Sequence, residues 1–143
     1  MEKELQNIKL NWFKISCIYN KLAEKHLANA FYMRVFNIIC IFPSDCTQKK
    51  IVEFTGAPKQ SVNNIIKELL NDGCITLVKN PKDKRYKLIK TTKKGKELYK
   101  STIANIEQAE LKVLSNFSDE EIDNFINFFS KYNELLSKEM EEL

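Results

Sequence analysis

Between residues 5 and 22 apolar side chains return every three or four positions, as Leu5, Ile8, Trp12, Ile15, Tyr19 and Leu22. Alternating spacings of three and four make an a/d heptad stripe, which predicts a long helix from Leu5 to about Leu27. Phe13 and Cys17 widen the apolar surface beyond that seam. A stripe this extended is more than a short domain needs for itself, so a partner helix is implied. A second helix is predicted over Ala30–Phe42, where Phe31, Val35, Ile38, Ile39 and Phe42 keep helical spacing and Pro43-Ser44-Asp45 breaks it. Thr47 is placed to cap a short third helix, Gln48–Thr55, which Gly56 stops. A fourth runs from about Lys59 to Asn71, with Val62, Ile65, Ile66, Leu69 and Leu70 inward and Gly73 closing it.

The pattern then changes to short runs of β-formers, Ile75–Lys79 and Tyr86–Lys90, around the polar turn Asn80-Pro81-Lys82-Asp83-Lys84-Arg85. Thr92 is predicted to cap one long helix reaching about Ser115, lined by Leu98, Thr102, Ile106, Ala109 and Val113. The last helix has the clearest start. Ser118 and Glu121 form a capping box, with Phe117 and Ile122 at the positions of a hydrophobic staple. Ile122, Phe125, Ile126, Phe129, Tyr132, Leu136 and Met140 then recur at helical spacing. Two helices joined across a glycine-containing turn, then a hairpin, read as a helix-turn-helix followed by a wing. The expected fold class is therefore mainly α with a small β-hairpin wing, flanked by N- and C-terminal helices.

Charge sharpens this picture. The 143 residues carry a net +4, but unevenly. Residues 1–46 carry a net +2, residues 47–100 carry fourteen basic and five acidic side chains for +9, and residues 101–143 carry −7. A basic middle beside an acidic end implies one surface aimed at a polyanion. The outward positions of the fourth helix are Lys59, Gln60, Ser61, Asn63, Asn64 and Lys67, all able to bond base edges or phosphates. Asn and Gln match the donor–acceptor pair that adenine shows in the major groove. A solvated polar face is the bland alternative for any one of them.

Composition closes several other routes. Apolar residues are 43% and charged residues 29%, an ordinary soluble balance. No stretch approaches the roughly 20 apolar residues of a bilayer span, and Glu2-Lys3-Glu4 does not open a signal peptide. No membrane partner and a cytoplasmic location are expected. Cys17, Cys40, Cys46 and Cys74 include no C-x-x-C pair, and His26 is the single histidine, so no metal site and no cofactor are expected. Cys17 and His26 are the one evident nucleophile–base pairing. Nine residues apart on one helix, they face opposite sides, which argues against an enzyme. No glycine-rich phosphate loop is present either.

The stretches Thr47–Ile51, Gly56–Val62, Leu69–Ile75, Asn80–Arg85 and Thr91–Leu98 together resemble the MarR family of winged helix-turn-helix transcriptional regulators. The resemblance is strongest over Thr47–Leu98. It implies one MarR-type domain over 1–143, with a DNA-binding lobe at 30–98 and dimerisation helices at 1–29 and 99–143. It further implies Lys59–Lys67 along the major groove, Arg85 in the minor groove at the wing tip, and Asp83 holding Arg85 by a charge-assisted bond. Pro58 departs from the family's frequent Ser or Thr cap. Lys49, Lys67, Lys84 and Lys87 are the expected phosphate contacts. The implied homodimer would join through Leu5, Ile8, Trp12, Ile15, Ile122, Phe125, Ile126, Phe129, Tyr132 and Leu136. It would read a pseudo-palindromic operator in double-stranded DNA, with half-sites about 34 Å apart.

The expected function is that of a sequence-specific DNA-binding regulator, a repressor released by a small-molecule ligand. Similar proteins hold small aromatic acids in a cleft that Trp12, Tyr19, His26, Phe31, Tyr32 and Arg34 would border here. Two alternatives stand beside it. One is a thiol-based redox sensor of the same fold acting through Cys17. The other is a winged-helix interaction module without DNA binding.

Overall fold

The computed structural model describes residues 1–26 and 29–143, with the side chain of His26 outside that description. The elements run α1 (Glu2–His26), α2 (Ala30–Ile41), α3 (Gln48–Thr55), α4 (Lys59–Asn71), β1 (Ile75–Val78), β2 (Leu88–Thr91), α5 (Lys93–Ser101), α6 (Ile103–Leu114) and α7 (Asp119–Glu141). The chain divides into two compact units, Met1–Ala104 and Asn105–Leu143. The fold is mainly helical with one two-stranded antiparallel hairpin.

In the first unit α2 is the central helix. Tyr32, Met33, Val35, Phe36, Ile38 and Ile39 are buried on it, so its apolar surface wraps most of its circumference. Ile51 of α3, Val62 and Leu69 of α4, and Ile89 of β2 complete a core closed to solvent. Each such side chain contributes roughly 1.5–3 kcal/mol by leaving water. The α3 and α4 boundaries follow from local chemistry. Thr47 Oγ1 accepts the Lys50 N–H at 3.2 Å. Gly56, at φ 63, ends α3 by sending its N–H to Val52 O. Gly73, at φ 70, lets its own N–H reach Leu70 O and that of Cys74 reach Leu69 O, a Schellman close to α4.

The hairpin pairs Ile75 with Thr91 and Leu77 with Ile89. On its outer edge the Ile89 N–H donates to Cys46 O at 2.8 Å, tying β2 to the α2–α3 loop. Gly95 of α5 is buried, and a Cβ there would stand 2.0 Å from Cys74 O, so this close approach requires glycine.

Two expectations are corrected. The helix expected from Thr92 to about Ser115 is two helices, broken at Thr102, where φ is −126 and ψ −78. The Thr102 hydroxyl donates back to Leu98 O at 2.6 Å and its N–H goes to Tyr99 O, so local bonds take over from the helical ladder. The second strand begins at Leu88 rather than Tyr86, leaving Tyr86 and Lys87 in the wing loop. Side chains claim the backbone there. Asn80 Oδ1 accepts from Lys82 N–H and Asp83 Oδ1 from Arg85 N–H, each at 3.0 Å.

In the second unit, α7 opens with Ser118 Oγ accepting the Glu121 N–H and Glu121 Oε2 accepting the Ser118 N–H, a complete capping box. None of its residues is buried.

A candidate nucleic-acid interface

Helix α4 presents a two-sided sequence and keeps it in space. Val62, Ile65, Ile66 and Leu69 are buried, while Lys59, Gln60, Asn64 and Lys67 are exposed and Ser61 and Asn63 half-buried. Gln60 Nε2 donates to Asn64 Oδ1 at 2.9 Å, linking two base-reading candidates one turn apart. Pro58 is the N-cap and makes no side-chain cap bond. Its fixed φ of −54 suits a helix start.

Beside α4 the wing is built around one ion pair. Arg85 Nε donates to Asp83 Oδ1 at 3.0 Å and its terminal Nη2 donates to Asp83 Oδ2 at 2.9 Å. A fork on a carboxylate is more directional than a point-charge contact. The hydrogen bonds from Arg85 hold the Asp83 carboxyl below its ordinary range, and Asp83 raises Arg85 in turn. The guanidinium also lies 5.7 Å from the centre of the Tyr86 ring. Arg85 is thus held through its guanidinium while most of the side chain stays open to solvent.

Between α3, α4 and the hairpin lies a groove of about 670 Å³. Lys49, Lys59, Asn63, Lys67, Arg85 and Lys87 line it together over a floor that includes Ile66, Leu70, Leu77 and Ile89. Lys49 makes a loose, exposed pair with Glu53 at 3.7 Å, which holds it weakly. Gln60, Ser61, Asn64, Asp83 and Lys84 lie outside the groove lining. Gln48, Glu53 and Tyr86 also line it and were not singled out from the sequence. Gln48 and Glu53 come from α3 and Tyr86 from the wing loop, so only the fold brings them together.

The other candidates are placed differently. Trp12 and Tyr19 are exposed on α1, Arg34 is exposed and Phe31 is half-buried on α2. Tyr32 is buried and turns to the end of α4, donating its hydroxyl to Asp72 Oδ2 at 3.3 Å. Burial first, then the neighbouring Cys74 and Asp72, raise its pKa. Glu68, Asp72, Cys74, Lys94 and Leu98 surround it at a cleft of about 350 Å³. His26 lies outside the described side chains. Of the interface candidates, Leu5, Trp12, Ile15, Phe125, Ile126, Phe129 and Leu136 are exposed, and Ile8, Ile122 and Tyr132 half-buried. Phe125 stacks on Phe129 with ring centres 5.6 Å apart. Cys17, Cys46 and Cys74 are free thiols. Cys17 is exposed, whereas Cys46 and Cys74 are buried, and burial pushes Cys46 up to about 11. Among the described residues no group of three or more His, Cys, Asp or Glu is arranged to hold a metal ion, and no helix is long and apolar enough to cross a membrane.

A capped helix-turn-helix whose second helix is polar outward, followed by a basic hairpin, defines a winged helix-turn-helix protein. Residues 29–85 match the model of the MarR family. That match spans α2 through the wing loop. HTH-type transcriptional regulators of Staphylococcus aureus strains Mu50 and N315 are 29% identical to the chain over 83 residues. That stretch is 57% of this chain, and the chain spans 57% of those relatives' length. A MarR family regulator from Neisseria meningitidis shares the fold at a TM-score of 0.81 and 22% identity, over 97% of each chain. A Staphylococcus aureus MarR solved with salicylate and kanamycin shares it at 0.69 and 22% identity, over 96% of this chain and 93% of that one.

Proposed function

We propose that the chain is a sequence-specific double-stranded DNA-binding transcriptional regulator that works in the cytoplasm as a homodimer and represses by occupying its operator. One observation carries this reading. The groove between α3, α4 and the hairpin gathers Lys49, Lys59, Lys67, Arg85 and Lys87 on one face, beside the amide-bearing surface of α4. Lys49, Lys67, Lys84 and Lys87 contact phosphates and supply most of the affinity. Gln60, Ser61, Asn63 and Asn64 read base edges in the major groove. Arg85, held by Asp83, senses the width of the minor groove.

The exposed stripes of α1 and α7 pair two copies, so that two recognition helices meet half-sites about 34 Å apart. A small aromatic ligand bound near Trp12, Tyr19 and Phe31 shifts the population away from the DNA-binding dimer. The salicylate bound by the Staphylococcus aureus neighbour supports that ligand class. The exposure of Cys17 favours one alternative signal, oxidation of that thiol.

The test is fluorescence anisotropy on duplexes enriched by selection from random sequence. Wild type binds, and log affinity falls against log salt with a slope of roughly −0.9 per phosphate contact. Arg85→Ala weakens binding about tenfold or more while the protein keeps its fold and mass. A salt-independent signal, or an Arg85→Ala protein that binds like wild type, would refute the reading.

A further inference from the structure

We infer that Lys90 is a positioning residue for the wing, and that its charge, though it lies in the basic lobe, makes no phosphate contact. The inference rests on the DNA-binding reading above and says how that site is held in shape.

Lys90 stands on β2 opposite Thr76, one residue from the buried Ile89. Its ammonium donates to Pro43 O at 2.6 Å and to Ser44 O at 3.1 Å. Two of its three donors are thus spent on backbone carbonyls. These carbonyls lie just beyond the end of α2, where the helix dipole leaves negative charge and a cation is favoured. The adjacent Ile89 N–H donates to Cys46 O at 2.8 Å. Three hydrogen bonds therefore fasten the base of the wing to the loop 43–46.

The same loop is gripped from the other side by α3. Lys50 pairs with Asp45 and sits 4.4 Å from the centre of the Phe42 ring, which packs against Phe54 with ring centres 5.1 Å apart. One loop thus buckles three elements together: the end of α2, the first helix of the helix-turn-helix and the second strand of the wing. Arg85 lies on the segment that leads into that strand. Its direction relative to α4 follows from how firmly the strand is fastened. Sequence gives Lys84, Lys87 and Lys90 the same character. The structure leaves Lys84 and Lys87 exposed and lays Lys90, half-buried, on the carbonyls of Pro43 and Ser44.

The test compares wild type, Lys90→Met, Lys90→Arg, Lys84→Met and Arg85→Ala on selected duplexes and their single-base variants. Lys90→Met is expected to relax base preference at the positions where Arg85→Ala does, by roughly fivefold or more, and to leave positions read by α4 unchanged. Its salt slope stays that of wild type, whereas Lys84→Met loses about 0.9. Lys90→Arg, which can bond both carbonyls, restores the preference. A slope reduced by about 0.9 in Lys90→Met would make Lys90 an ordinary phosphate ligand and overturn the inference. So would unchanged preference at the Arg85-dependent positions. Hydrogen exchange without DNA provides an independent reading, because it needs only the folded chain. Faster exchange over residues 43–46 and 86–90 in Lys90→Met or the milder Lys90→Gln supports the buckle, and unchanged exchange removes it. If wild type bound no duplex at all, the functional reading would fall, and the exchange result alone would decide the placement of the wing.

Discussion

Helices α4 and α7 are both amphipathic, yet only α4 has buried its apolar face. In α4 the inward set Val62, Ile65, Ile66 and Leu69 is closed off from solvent by α2, α3 and the hairpin. In α7 a stripe of comparable regularity and greater aromatic content contains no buried residue, with Phe125 63% and Phe128 58% exposed. Periodicity therefore states that a face wants covering and is silent on what covers it. A contiguous apolar surface of this kind on one chain is the mark of an association site. The charge difference runs the same way. The basic residues crowd the part whose core is closed, and the acidic ones the part whose apolar face is open.

The comparison breaks most sharply at Leu69. Leu69→Ala leaves a cavity in a closed core and is expected to cost about 2–5 kcal/mol in urea unfolding, whatever the protein concentration. Phe125→Asp with Phe129→Asp is expected to behave otherwise. It should lower the mass in sedimentation from dimer to monomer, and the loss of stability should shrink on dilution of the wild type used as reference. Equal, concentration-independent losses in both variants would show that α7 is covered within its own chain.

The smallest effect concerns pH. Hydrogen bonding to Arg85 lowers the Asp83 carboxyl, so the pair contributes above the ordinary value of 3.8 and is lost only as pH falls through the lower folded value. Wing geometry, followed by carboxyl chemical shift, should therefore stay constant from pH 8 to about 5. A wing that rearranged near neutrality would mean that another group holds it.

The boundaries of α3 and α4 were legible because their signals are short-range. Thr47, Gly56 and Gly73 act on backbone groups within a few residues. The break at Thr102 was not legible, since Leu98, Thr102 and Ile106 keep helical spacing straight through it. A threonine hydroxyl bonding four residues back is compatible with a continuous helix, and only the backbone angles separate the two outcomes. The basic and amide residues of the site were legible as chemistry. Their gathering into a groove with Gln48 and Tyr86, and the bonds of Lys90 to the 43–44 carbonyls, were not, because these depend on contacts between elements distant in sequence.

The glycine at position 95 has a consequence for how this chain can change over generations. Hydrogen is the one substituent that fits against the carbonyl of residue 74, so any replacement must lever α5 away from the turn that leads into β1. This codon is closed to drift by a neighbour's oxygen rather than by any contact with a ligand.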